Sequence, residues 1–252
     1  FSADNTMIAF IRFDESEVAS FTFPIFAGQA PHYSALETYP GAYTYKYPKA
    51  GEANSKVSVH TFDIKSKVTR KMKLPLDPDG YIPRIRFTQD AAKLAIMTLN
   101  RNQNRFDLYF ADPRSTLCKL VLRDESPYYI NESVFDNIMF YPQNFSFISE
   151  KDGYSHLYWY SMGGNLVKQV TKGKFEVKRF IGWDAATNTF YFESNEESPL
   201  RTAVYKTDKK GGRIKLSEKA GTNSAIFSSN LKYFMNTYSS LQTPTVITLN
   251  DN

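Results

Sequence analysis

The chain has 252 residues, 42% of them apolar and 15% aromatic, so it can bury the core of one large domain or of two average ones. Its net charge of +5 comes from 31 basic residues scattered among 26 acidic ones, without interleaved basic and aromatic residues, which argues against a nucleic-acid partner. The single cysteine excludes a disulfide framework, and no apolar run has the length of a membrane helix.

The residue usage favours β-strands. There are 17 Tyr and 20 Phe, and Thr, Val and Ile are frequent, a mixture that suits half-buried pleated sheets better than helices. The first residues, Phe1 to Asp4, look like the start of a strand and not like a natural amino terminus, and no signal peptide is visible. We therefore expect an all-β piece of a longer protein.

A repeated unit runs along the chain, in which an aromatic residue, a short turn and an apolar strand follow one another. The aromatic residues that open the units, which we call the anchors, are Phe1, Phe87, Phe140, Trp183 and Phe227. Successive anchors are 86, 53, 43 and 44 residues apart. The later intervals are therefore close to one period.

Each anchor precedes a series of predicted strands. The first strand of each unit is predicted at residues 7–13, 94–99, 145–149, 189–193 and 233–238. The second is predicted at residues 57–63, 108–112, 157–161, 204–208 and 246–251. A last strand is predicted at residues 68–74, 117–122, 166–171 and 213–217. Sequences rich in Gly, Asp and Asn lie between the strands, because tight hairpins need residues that tolerate positive φ.

Short strands in units of forty-odd residues are typical of β-propeller blades. The fold class that we predict is all-β, a partial β-propeller of about four to five four-stranded blades. An immunoglobulin-like sandwich would not repeat its turn chemistry at this period. One blade cannot bury both of its faces, so we expect the anchors to pack between blades. A cofactor or carbohydrate platform built from the anchors is the alternative.

The first interval is longer than one blade by about 40 residues, which indicates an insertion. We place it at about residues 26–54, where Gly, Pro and Tyr stand in place of strands. Residues 1–252 are thus expected to form a single partial propeller domain with an inserted arm.

Several motifs carry a resemblance to a known family. Phe-Asp-Glu-Ser-Glu-Val stands at residues 13–18 and Tyr-Pro-Lys-Ala-Gly-Glu-Ala-Asn-Ser-Lys-Val at residues 47–57. Arg-Asn-Gln-Asn, Ser-Glu-Lys-Asp-Gly-Tyr-Ser-His and Thr-Lys-Gly-Lys-Phe-Glu-Val follow at residues 101–104, 149–156 and 171–177. In this order they resemble the amino-terminal β-propeller of the dipeptidyl peptidase IV family, which are serine exopeptidases of the prolyl oligopeptidase clan. Phe175 replaces the family's Trp.

The resemblance implies that the chain spans roughly the second half of that propeller. The family's paired glutamates, which bind the free amino terminus of the substrate, would precede Phe1, and the catalytic α/β-hydrolase domain would follow Asn252. The inserted arm would reach across a homodimer, while a loop folded over its own blade is the alternative. The arm residues that we expect to make this contact are Tyr33, Tyr39, Tyr43, Tyr45, Tyr47 and Pro48.

The resemblance also points to a substrate-binding segment. In the family, the stretch equivalent to residues 127–134 contributes an aromatic residue and an arginine to the substrate pocket. This chain has Tyr128 and Tyr129 there but no arginine. These two tyrosines are therefore the candidate substrate contacts.

We predict no catalytic residue in this chain. A serine peptidase of this clan needs a Gly-x-Ser-x-Gly elbow, and the sequence contains none. Gly153-Tyr154-Ser155-His156 comes closest but lacks the second glycine, and neighbouring residues on a strand point to opposite faces.

No metal site or cofactor is predicted either. His32, His60 and His156 have no His or Cys at ligand spacing, so we expect structural histidines. Glu196-Glu197 is similar to the family's amine-binding glutamate pair, but its flanking sequence places it in a different blade. We interpret it as a solvated turn.

Together these features predict the non-catalytic propeller portion of a dipeptidyl peptidase IV-like serine exopeptidase that removes N-terminal dipeptides of the Xaa-Pro or Xaa-Ala type. The propeller would gate substrate access and support dimerisation. The expected partners are peptide substrates with free N-termini and a second copy in a homodimer, with no nucleic acid and no metal. The family implies a periplasmic or secreted location. The rival hypothesis is a stand-alone TolB-like β-propeller that acts as an interaction module.

Overall fold

The computed structural model describes residues 1–26, 39–208 and 210–252. These residues contain nineteen strands and one four-residue helix, which confirms the all-β class. The elements are β1 (Met7–Asp14), β2 (Ser20–Ile25), β3 (Gly41–Lys46), β4 (Lys56–Asp63), β5 (Val68–Lys71), β6 (Tyr81–Phe87), β7 (Leu94–Leu99), β8 (Arg105–Ala111), β9 (Cys118–Glu125), α1 (Ser133–Asp136), β10 (Asn144–Ser149), β11 (His156–Ser161), β12 (Leu166–Gln169), β13 (Val177–Asp184), β14 (Thr189–Ser194), β15 (Ala203–Thr207), β16 (Arg213–Lys215), β17 (Thr222–Phe227), β18 (Tyr233–Ser240) and β19 (Thr243–Asp251).

The strands pair into small sheets that follow chain order. The sheets are β1-β4-β5, β6-β7-β8-β9, β10-β11-β12, β13-β14-β15-β16 and β17-β18-β19, and β2-β3 forms a separate hairpin. The registers determined for these pairs are antiparallel, as in β10 with β11, where Phe147 faces Tyr158. The expected four strands per blade are found in two of the five sheets, and the described residues supply three strands to each of the others.

The predicted strands agree with β1, β4, β5, β7 to β12, β14 to β16, β18 and β19. The sequence pattern does not predict the opening strands β6, β13 and β17, because the aromatic residue at or near the end of each one is interpreted as a turn anchor. These strands carry polar residues in exposed positions, such as Arg84 and Arg86 in β6 and Lys178 in β13. A strand that alternates in this way gives a weaker apolar signal than the buried strands after it.

The predicted insertion contains regular structure, so the expectation of a strand-free stretch is wrong. β3 lies within residues 26–54, and its partner β2 begins earlier, at Ser20. Tyr43 and Tyr45 give β3 the period of two and the aromatic content that stabilise a hairpin, and Tyr47 continues the alternation just after the strand.

The most deeply buried residues lie along β7, β10 and β14. All six residues of β7 are buried, and Phe145 to Ser149 of β10 and Phe190 to Ser194 of β14 are buried as well. A cluster that includes Leu157, Trp159, Phe190 and Phe192 joins the β10-β12 sheet to the β13-β16 sheet. Each of these two sheets thus buries a face that it could not bury alone.

The chain divides into two compact units. The first consists of residues 1–87, 91–102 and 110–119, and the second of residues 88–90, 103–109 and 120–252. In the first unit, Met7 and Val59 are almost completely buried and the hydroxyl of Thr61 donates to the carbonyl oxygen of Pro113 at 2.7 Å. The cavity described below lies within the second unit.

The anchors differ in their packing. Trp183 lies 5.0 Å from Trp159 in the preceding sheet, and Phe227 lies 5.2 Å from Tyr191, which confirms packing between sheets for these two rings. Phe140 is 9% exposed. Phe1 is 76% exposed, so the prediction of packing between blades is wrong for this anchor. The first turn is closed instead by the hydroxyl of Ser2, which accepts a hydrogen bond from the backbone N–H of Met7.

The hairpin turns have the glycine geometry that the sequence predicts. Gly153, Gly164 and Gly211 have φ values of +89°, +91° and +86°. A Cβ atom at Gly164 would also lie 2.1 Å from the carbonyl oxygen of Val121. Glycine is required there both by the backbone conformation and by the close approach.

In the described part of the chain, no helix has the length and apolar character needed to cross a membrane.

Candidate functional site

A cavity of about 350 Å³ lies where β9 ends and the β10–β11 turn begins. One wall is formed by Asp124 and Glu125 at the end of β9 and by the segment that follows, including Tyr128 and Tyr129. The other wall is the turn at residues 150–153. Two segments that are separated in the sequence by the residues between Val134 and Glu150 therefore line one concave surface.

Backbone hydrogen bonds hold the first wall in place. The N–H of Ser126 donates to the carbonyl of Asn104 at 2.9 Å, and the N–H of Ile130 donates to the carbonyl of Gln103 at 2.8 Å. Ile130 and Val134, which is in α1, are buried and form the apolar base of the cavity. The tyrosines between these two hydrogen bonds are left on the outside.

The second wall is a tight turn. The N–H of Gly153 donates to the carbonyl of Glu150 at 2.8 Å, and Gly153 adopts φ +89°. The ammonium group of Lys151 donates to the hydroxyl of Tyr160 at 3.1 Å and lies 3.8 Å from the ring centroid of Tyr158. The turn is therefore fixed by both its backbone and its lysine.

The cavity is rich in carboxylates. Asp124, Glu125 and Glu150 line it, and Lys151 is the one cationic side chain among the lining residues that the structure describes. Burial raises the pKa of Asp124 above its ordinary value, although the hydroxyl of Ser149, which donates to its Oδ2 at 2.8 Å, and the charge of Lys151 oppose this shift. The cavity thus has a negative local charge in a chain whose net charge is +5.

Both candidate substrate contacts lie at this cavity. Tyr128 is 87% exposed and Tyr129 is 49% exposed. The structure thus brings them together with acidic residues that the sequence analysis did not select. The acids were not recognised because they come from the end of β9 and from the β10–β11 turn, which belong to different sheets, and only the tertiary structure places them at one cavity. Their role in substrate binding stays a prediction.

The second candidate region is the β2–β3 hairpin. Phe21 is paired with Tyr45 and Phe23 with Tyr43, which places these rings on one face. The rings of Phe23 and Tyr45 are stacked at 5.5 Å, and Tyr47 extends the cluster at 5.9 Å from Tyr45. We call these five residues the arm aromatic face.

The arm aromatic face is accessible, since Phe23, Tyr43 and Tyr47 are 38%, 37% and 46% exposed. Of the other predicted arm residues, Tyr39 is 70% exposed and Pro48 is half-buried. Tyr33 lies outside the described residues.

The base of the hairpin is held by several contacts. The ammonium of Lys46 donates to the carbonyl of Val18 at 2.7 Å, and the N–H of Tyr47 donates to the carbonyl of Ala19 at 2.9 Å. The guanidinium of Arg101 donates to the carbonyl of Glu52 at 3.0 Å. Residues 46–52 therefore connect the hairpin to the chain just before β2 and to the turn after β7.

Ser155 and His156 do not form a nucleophile and base. The hydroxyl of Ser155 donates to the carbonyl of Val177 at 3.1 Å. His156 is buried and its ring nitrogens bond with the hydroxyl of Thr171 and the carbonyl of Gly173. His156 thus has the structural role that the sequence predicts.

Glu196 and Glu197, in the connection between β14 and β15, form ion pairs with residues of β16. Arg213 donates to both carboxylate oxygens of Glu196, and Lys215 contacts Glu197 at 2.7 Å. Their charges are therefore matched by the basic residues that follow them. Among the described residues, no group of three or more His, Cys, Asp or Glu side chains is arranged to hold a metal ion.

Comparison with known proteins decides the family. The model of the dipeptidyl peptidase IV (DPP IV) N-terminal region matches residues 1–245. This chain belongs to that family. The crystal structure of Porphyromonas gingivalis dipeptidyl peptidase 4 is similar over 100% of this chain and 35% of that chain, with 44% identity and a TM-score of 0.92. This similarity confirms the fold that the sequence predicts for this chain, a partial β-propeller.

Curated relatives are more distant. Dipeptidyl peptidase 4 of Trichophyton rubrum is 26% identical over 218 residues, covering 81% of this chain and 27% of that protein. Inactive dipeptidyl peptidase 10 of Mus musculus is 26% identical over 228 residues, covering 83% of this chain and 27% of that protein. The chain therefore spans about a quarter to a third of the length of these relatives.

Proposed function

We propose that this chain is the non-catalytic propeller portion of a serine exopeptidase that removes Xaa-Pro or Xaa-Ala dipeptides from free N-termini. The observation that carries this proposal is the likeness to Porphyromonas gingivalis dipeptidyl peptidase 4 over the whole chain. The sequence has no Gly-x-Ser-x-Gly elbow, so the nucleophile would come from another part of the parent protein.

The propeller's part in this function is to gate access and to contact the peptide. The cavity beside Tyr128 and Tyr129 supports this role because it is concave, has an apolar base and carries polar groups around its mouth. A peptide that enters the parent protein would bind along this surface. A periplasmic or secreted location belongs to the same proposal.

The arm aromatic face supports a second role, the contact between two copies in a homodimer. Exposed aromatic side chains on a hairpin stabilised by its own ring contacts have the composition of interface hot spots. Their order within the isolated hairpin reduces the entropy that association costs.

Peptidase activity of the full-length protein tests the proposal. We expect it to release the chromophore from glycyl-prolyl p-nitroanilide and to leave the N-acetylated substrate intact. Its serine should react with a fluorophosphonate, whereas residues 1–252 alone should not. A full-length protein that neither cleaves nor is labelled contradicts the exopeptidase assignment and would match the inactive relative.

Two further outcomes would contradict other parts of the proposal. Labelling of residues 1–252 that disappears in Ser155→Ala contradicts the non-catalytic role. A gene that encodes no Gly-x-Ser-x-Gly sequence after residue 252 would favour the TolB-like interaction module.

A further inference from the structure

The acidic cavity has carboxylates that the protein itself does not neutralise. In the described part of the chain, neither Asp124 nor Glu125 nor Glu150 forms an ion pair. Other acids of the same unit do, as Glu193 does with Arg179 and Glu196 with Arg213. The three lining carboxylates are therefore available to an external cation.

Lys151 forms no ion pair with these three carboxylates, although its charge opposes the rise in the pKa of Asp124. Its ammonium group is directed to the hydroxyl of Tyr160 and the face of the Tyr158 ring, at 3.1 Å and 3.8 Å. A cation over an aromatic face is attracted by the ring quadrupole, which holds the ammonium group on the side of the two rings. The Tyr158 hydroxyl in turn donates to Asp152 at 2.7 Å, which holds the ring in position beneath the lysine.

A bound cation would stabilise the charged form of Asp124 more than that of the other two carboxylates. It is half-buried, and the loss of solvent raises its pKa. Its Oδ2 accepts one hydrogen bond, from Ser149. A positive group beside it would offset the cost of keeping it charged and would form a charge-assisted hydrogen bond.

The aromatic residues at the mouth of the cavity are the second kind of group that can bind a cation. Tyr128 and Tyr129 expose their rings beside Glu125 in the sequence and line the same cavity. Carboxylates combined with exposed aromatic faces are the groups that bind alkylammonium and guanidinium ions. A volume of about 350 Å³ is sufficient for one long side chain.

We propose that this cavity binds the side-chain cation of a Lys or Arg residue in a peptide. That the cation is carried by a peptide rests on the proposed function, whereas the preference for a cation rests on the lining residues. The free α-ammonium of a peptide has related chemistry, and the choice of probes separates the two sources.

Direct binding to the full-length protein tests the site without any need for catalysis. The probes are N-acetyl-lysine amide and N-acetyl-arginine amide, which carry only a side-chain cation, N-acetyl-norleucine amide, which carries none, and alanine amide, which carries only an α-ammonium. By NMR or calorimetric titration, we expect the lysine and arginine probes to bind at least about tenfold more tightly than the other two. Equal binding of the norleucine probe, or of alanine amide, would overturn the proposal.

Variants locate the binding. Glu125→Gln and Glu150→Gln should each weaken the lysine probe by about tenfold, and Tyr128→Ala should weaken it more than Tyr128→Phe, which keeps the ring. Glu132→Gln is the matched control, since Glu132 is exposed on the same segment but does not line the cavity. Unchanged affinity in all the cavity variants, with the fold intact by circular dichroism, contradicts the site.

Kinetics separate this proposal from the proposed function. If the protein is a dipeptidyl peptidase and its substrate passes this cavity, lysyl-prolyl p-nitroanilide should have a higher kcat/KM than norleucyl-prolyl p-nitroanilide, and Glu125→Gln should reduce that ratio. Probe binding in a protein without peptidase activity would support the cavity and contradict the exopeptidase. Peptidase activity without probe binding would support the exopeptidase and contradict the cavity.

Discussion

The carboxylate of Glu193 on β14 and the guanidinium of Arg179 on β13 form a two-pronged ion pair that also holds the next sheet. Glu193 is 5% exposed, and its Oε1 accepts the backbone N–H of Ala225 at 2.8 Å. Arg179 donates to the carbonyl of Ala225 at 2.6 Å. Side chains of one sheet thus satisfy backbone groups of its neighbour, in addition to the apolar contacts between them.

Glu193→Ala should lower the free energy of unfolding by about 1–3 kcal/mol, because it leaves the buried N–H of Ala225 without an acceptor. Glu197→Ala removes an exposed partner of Lys215 and should cost less than about 1 kcal/mol. Urea denaturation of both variants measures the difference. Equal effects would mean that the Glu193 pair contributes no more than a surface ion pair.

Phe140→Ala should cost about 3–5 kcal/mol, because it removes a nearly buried ring from the core. Phe1→Ala, the same substitution at another anchor, should cost less than about 0.5 kcal/mol, because that ring is 76% exposed. Denaturant unfolding at one temperature compares them. A cost at Phe1 as large as that at Phe140 would show that burial does not distinguish the anchors.

Gly164→Ala should destabilise the protein by at least about 1–3 kcal/mol, since its φ of +91° strains any other residue and the new Cβ would meet the Val121 carbonyl oxygen. Gly163→Ala is the adjacent control, where the nearest atom to a new Cβ is 3.7 Å away. Melting temperatures of the two variants should therefore differ clearly. A tolerated Gly164→Ala would show that the β11–β12 turn can change its conformation.

Asp124→Asn should change the dependence of stability on pH. The folded-state pKa of Asp124 lies above its ordinary value of 3.8, so ionisation of this carboxyl costs stability as the pH rises through the folded pKa. The variant should gain stability relative to the parent between about pH 3 and pH 7.

Asp184→Asn should change the dependence of stability on pH in the opposite direction. The hydroxyl of Thr187 is the largest cause that lowers the pKa of Asp184, so its charge stabilises the fold above the unfolded pKa, and this contribution is lost as the pH falls through the folded pKa. Chemical denaturation of both variants across this pH range checks the prediction. Parallel curves for the two variants would contradict it.

The double variant Phe23→Ala/Tyr43→Ala should weaken dimerisation of the full-length protein by about 2 kcal/mol, or roughly thirtyfold, if the arm aromatic face makes the contact. Thr22→Ala/Thr44→Ala alters the opposite face of the same hairpin, where the two hydroxyls are 2.7 Å apart. Light scattering over a concentration series measures both. A dimer that is unaffected by the first pair, or lost equally with the second, is not held by that face.

The middle strands of the sheets could be predicted from the sequence because their residues are apolar on both faces and are bounded by Gly and Asp turns. β7 was predicted at the bounds that the structure shows, Leu94–Leu99. The opening strand β13 could not be found in this way, since Lys178, Arg179 and Gly182 interrupt its apolar pattern. Its place is fixed by pairing with β14, a contact that no local pattern contains.

The candidate site was also predicted only in part from the sequence. The sequence alone determined the family, through motifs long enough to be specific, and it selected Tyr128 and Tyr129 on the segment after β9. Only the tertiary structure decided that Glu150 and Lys151 lie across the cavity from that segment, and that Lys151 turns to the rings of Tyr158 and Tyr160. The physical reason is that strand order and turn geometry set distances between residues remote in sequence, and the charge of a cavity depends on those distances.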